Sequence, residues 1–358
     1  MSNGVGHLNR RDILRGLGGG AVAAAFGSLT LGPGHVAAQA QKAAETGKKQ
    51  LFTPYTKPSR VSLVKGNDRR DIIFQSLKNI EDEIVASIGN KKRVLVKPNF
   101  VSTTRALAAS HADEIRAILD FLKTRYKGEI IVGESAPSKA GTFEGYQNFG
   151  YLPLEKEYGI KLVDLNKEPW VYRYVFGKDH TPIPIRIIST FLDRDTYIVS
   201  AAKMKTHDRA VTTLSLKNIL IGAPLNDGKK NDKGLTHQGY SFTPKETLHF
   251  NMFHLAQEIW PDLSVIDGFE AMEGNGPIGG TPVDAKVALA SLDSLALDTL
   301  TTKIMGFDTS KIPYLMAMAE AGMGQGDLTK VQVLGTPVDQ CQFKFKPNEK
   351  IIESYGLK

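Results

Sequence analysis

The chain has 358 residues, of which 41% are hydrophobic and 23% charged, with a formal net charge of +7 at neutral pH. That composition is typical of a folded protein with a sizeable core and excludes a disordered chain. The one cysteine, Cys341, excludes an intramolecular disulfide and any iron–sulfur cluster held by cysteines of this chain.

Residues 1–40 have the three-part layout of an export signal. A polar, basic start precedes a weakly apolar run from Gly16 to Leu31, and the small-residue pattern Ala38-Gln39-Ala40 follows Pro33-Gly34. Arg10-Arg11, followed by Asp12-Ile13-Leu14-Arg15, resembles the twin-arginine export motif. The twin-arginine translocase is therefore an expected partner, and a periplasmic or otherwise exported location is expected. The run is broken by glycines and falls short of the ~20 residues needed to span hydrocarbon. Cleavage after Ala40 is expected, leaving no stable membrane span and removing three arginines and one aspartate.

Residues 41–60 are polar, contain two prolines and read as a linker or N-terminal arm. A single α/β domain is expected over 61–335. "VSLVKG" at 61–66 predicts a strand, and residues 69–88 predict a helix with Ile72, Ile73, Leu77, Ile80, Ile84 and Ile88 at helical spacing. "RVLVKPN" at 93–99, a helix over 111–126 and "EIIVGES" at 129–135 continue the alternation, which argues for a mostly parallel sheet with flanking helices. Between 161 and 188, short β-rich stretches separated by Pro and Gly predict an antiparallel excursion.

"DTYIVSAAK" at 195–203 predicts a buried strand, "KMKTH" a cation-rich loop after it, and 211–221 a helix. The polar stretch 225–246 predicts a functional loop able to close over a pocket. The remainder returns to α/β with predicted helices at 247–259, 294–305 and 313–321 and strands at 263–268, 286–291 and 330–335. Residues 336–358 are left as a C-terminal tail.

Ligands of open α/β sheets bind beyond the carboxyl ends of the strands. The polar residues expected there are Lys97 and Asn99, Glu134 and Ser135, Lys203, Lys205 and His207, Asp267, and Asp293. Each also fits a structural role: Lys97 as a strand end in solvent, Asp293 as a helix N-cap, Lys217 as a helix-surface lysine. Lysines at strand ends suit an anion as point charges, and the helix opened by "TTLSLKN" offers N–H groups that favour a carboxylate or phosphate. Gly276, in "EAMEGNGPIGGTP", would let backbone approach a ligand. No Walker loop, dinucleotide fingerprint, H-E-x-x-H motif or G-x-S-x-G elbow is present. Aromatics are 8% and arginine-rich tracts are lacking, so nucleic acid is not an expected partner.

The succession "VLVKPNF", "IIVGESA", "AAKMKTHDRAVTTLSLKNILIGAP", "VIDGFEAMEGNGPIGGTP" and "SLDSLALDTL" resembles the family known as domain of unknown function 362, over roughly residues 61–330. The resemblance places Lys97, Asn99, Glu134, Lys205, His207, Lys217, Asn218, Asp267, Gly276, Pro277, Asp293 and Asp298 at motif positions. Many members carry cysteine-rich ferredoxin-like segments, which this chain lacks.

The expectation is a pocket for a small anionic organic ligand, with catalysis by acid/base or metal-assisted chemistry. His207, Lys205 and Glu134 are the candidate catalytic residues, and Lys97, Asn99, Lys217, Asn218 and Gly276 the candidate ligand-binding ones. Asp267 is the candidate ligand of a divalent metal. A non-catalytic periplasmic binding or cofactor-carrier protein and a redox accessory protein are the alternatives.

Overall fold

Among the described residues, the apolar runs with period-two or period-3.6 spacing form strands and helices, and the sheet they build fixes where the strand-end residues lie. The computed structural model describes residues 55–357 apart from 57, 178–180 and 239–243. The expected export signal and residues 41–54 of the arm lie outside the described residues.

The chain enters the sheet with β1 (Ser59–Lys65) and continues through β2 (Arg93–Lys97), β3 (Glu129–Glu134) and β4 (Lys161–Asp164). A hairpin of β5 (Trp170–Phe176) and β6 (Pro182–Ile188) follows, then β7 (Thr196–His207) and β8 (Val211–Thr213). The last strands are β9 (Leu263–Glu273), β10 (Thr281–Val283), β11 (Val287–Ser291) and β12 (Val331–Gly335). The main sheet has the order β12-β1-β11-β9-β7-β2-β3-β4, with β8 paired to β7 and β10 to β9. Along that order only β11 runs antiparallel to its neighbours. β5 and β6 form their own two-stranded antiparallel sheet. The fold is thus α/β, a mostly parallel sheet with flanking helices and a short antiparallel excursion.

Both faces of the sheet are covered, so its central strands are apolar on both sides. Val94, Val96, Val199 and Val265 face one core together with α1 (Arg69–Lys78), α2 (Glu81–Ile88) and α3 (Ala112–Lys123). Leu95, Ile198 and Ile266 face the other, with α6 (Ser215–Leu220), α8 (Pro244–Ala256) and α9 (Ser294–Ile304). α4 (Thr142–Asn148) and α5 (Pro153–Tyr158) lie between β3 and β4, and α7 (Asp232–Gln238) lies between α6 and α8. After β2 the chain crosses on the α3 face, and after β7 it leaves on the α6 face. β2 and β7 are neighbours, so their carboxyl ends form a topological switch point, where α/β sheets open a crevice.

Several boundaries differ from the sequence reading, each for a physical reason. The expected helix over 69–88 is two helices, because the Asn79 amide donates to Ser62 Oγ (3.0 Å) and turns the chain at Asn79-Ile80. "KMKTH" is not a loop. β7 runs on to His207 because β8 folds back and pairs with it at Lys205, Thr206 and His207, so residues 211–213 are strand and only 215–220 are helix. Val211, the first residue of β8, is held at φ 68°, a left-handed conformation that is costly for a β-branched residue.

The C-terminal residues are no loose tail. Cys341, Phe345, Ile351 and Tyr355 are buried in the core, with Phe345 N–H donating to Met305 O (2.9 Å). Asp293 lies at the far end of the sheet, since β11 runs against its neighbours. Its carboxylate accepts from Leu295 and Ala296 N–H (3.1 and 3.0 Å) and caps α9.

Candidate functional site at the switch point

Beyond the carboxyl ends of β2, β3 and β7 lies a cavity of about 310 Å³. Its wall includes Lys97, Glu134, His207, Lys217, Lys233 and His237. Phe100, Val101, Pro137, Ile221 and Pro277 give it apolar patches. Charged and imidazole groups thus outnumber the apolar residues of the wall.

Lys97 and Glu134 are both about 97% or more buried and form an ion pair. Lys97 Nζ donates to both carboxylate oxygens (2.9 and 3.0 Å), to Asn218 Oδ1 (3.0 Å) and to Pro98 O (2.9 Å). The carboxylate also accepts from Phe100 N–H (2.9 Å) and Ser135 N–H (2.6 Å). Glu134 is therefore the counter-ion of Lys97 rather than a free base: its oxygens are already engaged. Gly222 allows this packing, since a Cβ there would lie 2.2 Å from Lys97 Cε.

Asn99 and Asn218 form the next layer, with Asn99 Nδ2 donating to Asn218 Oδ1 (3.0 Å). Lys205 is fully buried behind them, donating to Asn99 Oδ1 (2.6 Å) and Ala108 O (2.8 Å). It does not line the cavity, and its ammonium is turned to Asn99 and Ala108 instead. Burial pushes its pKa well below the ordinary lysine value, and the Lys217 and Lys203 charges push the same way.

His207 Nδ1 accepts from Arg209 and Ala210 N–H (3.0 and 3.2 Å), which places the ring proton on Nε2. Burial holds the ring neutral, with Lys217 adding to the effect, so Asp208 Oδ1 at 3.2 Å from Nδ1 is not an ion-pair partner. His207 thus offers an N–H donor, and its ring stacks on that of His237 at 6.1 Å.

Two wall residues, Lys233 and His237, come from the stretch expected to be a lid. That stretch contains α7 and is tied down: Arg186 binds Asp232 (2.7 Å), Asp227 (2.5 Å) and Lys230 O (3.2 Å). Residues 239–243 of it lie outside the described residues. Lys233 Nζ donates to Ser135 Oγ (2.9 Å), Ile221 O (3.2 Å) and Gly222 O (2.6 Å). Burial lowers its pKa to about 7, while three oxygen acceptors favour the ammonium. His237 Nδ1 donates to Lys233 O (2.8 Å), so Nε2 is an acceptor, 3.3 Å from Lys217 Nζ. Burial lowers Lys217 to about 7 and His237 to about 3. The spacing of Lys233 and His237, one helical turn apart, is the sequence signal that would have paired them.

Three expectations are corrected. The N-terminus of α6 is not open to a ligand, because the Asp298 carboxylate accepts Ser215 and Leu216 N–H (3.0 and 2.9 Å). Gly276 does not line the cavity. A Cβ there would lie 2.2 Å from Thr206 O, so the glycine serves close packing, and Pro277 reaches the wall instead. Asp267 is also elsewhere: its Oδ2 lies 3.2 Å from Arg69 Nε, in a separate buried group with Lys203 and Glu114. It does not meet His207 and Glu134, and no group of three or more His, Cys, Asp or Glu among the described residues could hold a metal ion.

The fold is that of an α/β protein with a cavity at its switch point, and the chain's family is shown by its sequence. The chain belongs to the family described as Domain of unknown function (DUF362), whose model matches residues 94–303. It is 30% identical over 234 residues to a thylakoid-associated protein of Synechocystis sp., covering 64% of this chain and 68% of that protein. Among solved structures, the lactate racemase apoprotein from Thermoanaerobacterium thermosaccharolyticum is similar at 14% identity with a TM-score of 0.45, over 68% of this chain and 58% of that one. A structural-genomics protein from Thermotoga maritima is similar at 13% identity with a TM-score of 0.37, over 72% of this chain and 59% of that one. The chain spans less than two thirds of each of these structures, and neither likeness carries an argument about chemistry. No helix among the described residues is long and apolar enough to cross a membrane.

Proposed function

We propose that this protein binds a small organic anion in the switch-point cavity and acts on it by proton transfer. One observation carries the reading: the cavity wall holds more cations than carboxylates, with Lys97, Lys217, Lys233 and Arg209 against Glu134 and Asp208. Lys97 has Glu134 opposite it, but Lys217 and Lys233 are buried at the same wall with no ion-pair partner among the described residues. Buried charge is stable only when paired, and a bound anion would supply the missing partner. The His207 Nε2–H donor would orient it, and Nε2 of neutral His237, 3.3 Å from Lys217 Nζ, would accept a proton. Lys97, Glu134, Asn99 and Asn218 would hold the wall rigid.

Binding should be read as a rise in melting temperature across a panel of small mono- and dicarboxylates and phosphate, against neutral isosteres of equal size. A saturable rise with some anions and none with the isosteres is expected. Equal effects of anions and isosteres, or none, would sink the reading.

We also propose export through the twin-arginine route, supported by Arg10-Arg11 and the small-residue pattern ending at Ala40. The ligand would then be met outside the cytoplasmic membrane.

A further inference from the structure

We infer that Lys217 is a nucleophile that forms an imine with a carbonyl-bearing anion, so that the substrate class of the cavity is a small oxo acid. The inference rests on the reading of the cavity as an anion site and goes one step beyond it.

The argument comes from comparing the buried lysines around the cavity. Lys97 is an ammonium held by a carboxylate and two further oxygens. Lys233 has three oxygen acceptors, one for each N–H of an ammonium. Lys205 is turned away into Asn99 and Ala108. Lys217 alone among these meets a nitrogen. Its one hydrogen-bond partner among the described residues is His237 Nε2 at 3.3 Å, an acceptor because Nδ1 of that ring is committed to Lys233 O. Burial and Arg209 favour the free amine of Lys217 while Asp208 opposes them, and an amine desolvated beside a neutral imidazole on a partly apolar wall is an environment that activates lysine as a nucleophile. Its pKa of about 7, lowered by burial, agrees.

The step balances without an oxidant or reductant. The Nζ lone pair attacks the carbonyl carbon, the C–N bond forms, and the carbonyl π pair moves to oxygen, which receives one of the two nitrogen protons by way of His237 Nε2. His237 Nε2 then takes the second proton from nitrogen. The carbinolamine then expels its hydroxyl as water, with the proton returned by His237, and the C=N bond forms. Amine and carbonyl thus give imine and water. The His207 Nε2–H, on the ring stacked against His237, is placed to donate to the departing oxygen. The cation excess selects carbonyl compounds that carry a carboxylate.

The test is reductive trapping on the mature protein near neutral pH, with sodium cyanoborohydride and glyoxylate, pyruvate or 2-oxoglutarate, followed by peptide mapping. One reduced adduct per chain on Lys217 is expected with at least one of the three. Lys217→Arg removes the nucleophile and should lose the adduct, while the anion-dependent rise in melting temperature is read on the wild-type protein. His237→Gln should slow trapping. A rise in melting temperature without an adduct would overturn the imine and leave the anion site standing. Adducts spread over surface lysines, unchanged in Lys217→Arg, would overturn it as well. Neither rise nor adduct would overturn both readings.

Discussion

Glu134→Ala is expected to destabilise the protein by about 3–5 kcal/mol, because it leaves Lys97 charged and unpaired in a buried wall. The loss is not only electrostatic. Phe100 and Ser135 N–H also lose their acceptor, and unsatisfied buried donors are costly in their own right. Denaturant unfolding of wild type and variant measures the effect as a fall in the midpoint at constant slope. The double change Lys97→Met with Glu134→Leu removes both charges and should recover much of the loss, since replacing a buried pair with apolar groups of similar volume is often near neutral. If Glu134→Ala alone unfolds no more easily than wild type, the two residues are not the buried pair described.

The second large effect concerns Lys233. Lys233→Met should weaken anion binding by about 2–3 kcal/mol, roughly 30-fold to 150-fold, the scale for losing one partner of a desolvated charge pair. A pH signature accompanies it. Both cavity lysines have pKa values lowered to about 7 in the free protein, and anion binding favours their charged forms. Affinity in wild type should therefore fall as pH rises through about 7, by up to about tenfold per pH unit for each lysine that must take up a proton. With Lys233→Met that dependence should become shallower by one proton. Titration calorimetry at several pH values reads both, and an unchanged affinity and slope in the variant would place the anion elsewhere.

Much of this site can be read from the chain because a parallel sheet puts strand ends at one edge. Lys97, Asn99, Glu134 and His207 each end or follow a strand, so finding the strands located the residues. Lys217 and Asn218 follow from the short helix after β8. What stayed hidden depends on pairing between distant segments. Lys233 and His237 sit in a stretch whose Gly, Asn and Lys content resembles a loop, and distant partners fix it against the cavity: Arg186, bound to Asp227 and Asp232, and Ser135, which accepts from Lys233. Lys205 shares a strand and a polarity with His207, yet its ammonium turns inward to Asn99. Asp267 ends its apolar run as expected, but Arg69 lies beside it and the Lys203–Glu114 group surrounds it. The open helix N-terminus was closed by Asp298, more than 80 positions away in the chain. Periodicity predicts which face a residue takes, but not which partner it meets there.

Native mass spectrometry of the mature protein purified from its own host tests the central claim most directly, first as isolated and then after incubation with small metabolites extracted from that host. The account predicts a chain beginning at Gln41 that carries one small organic anion, lost with Lys233→Met. A chain that stays ligand-free under both conditions, or an anion retained equally by the variant, would contradict it.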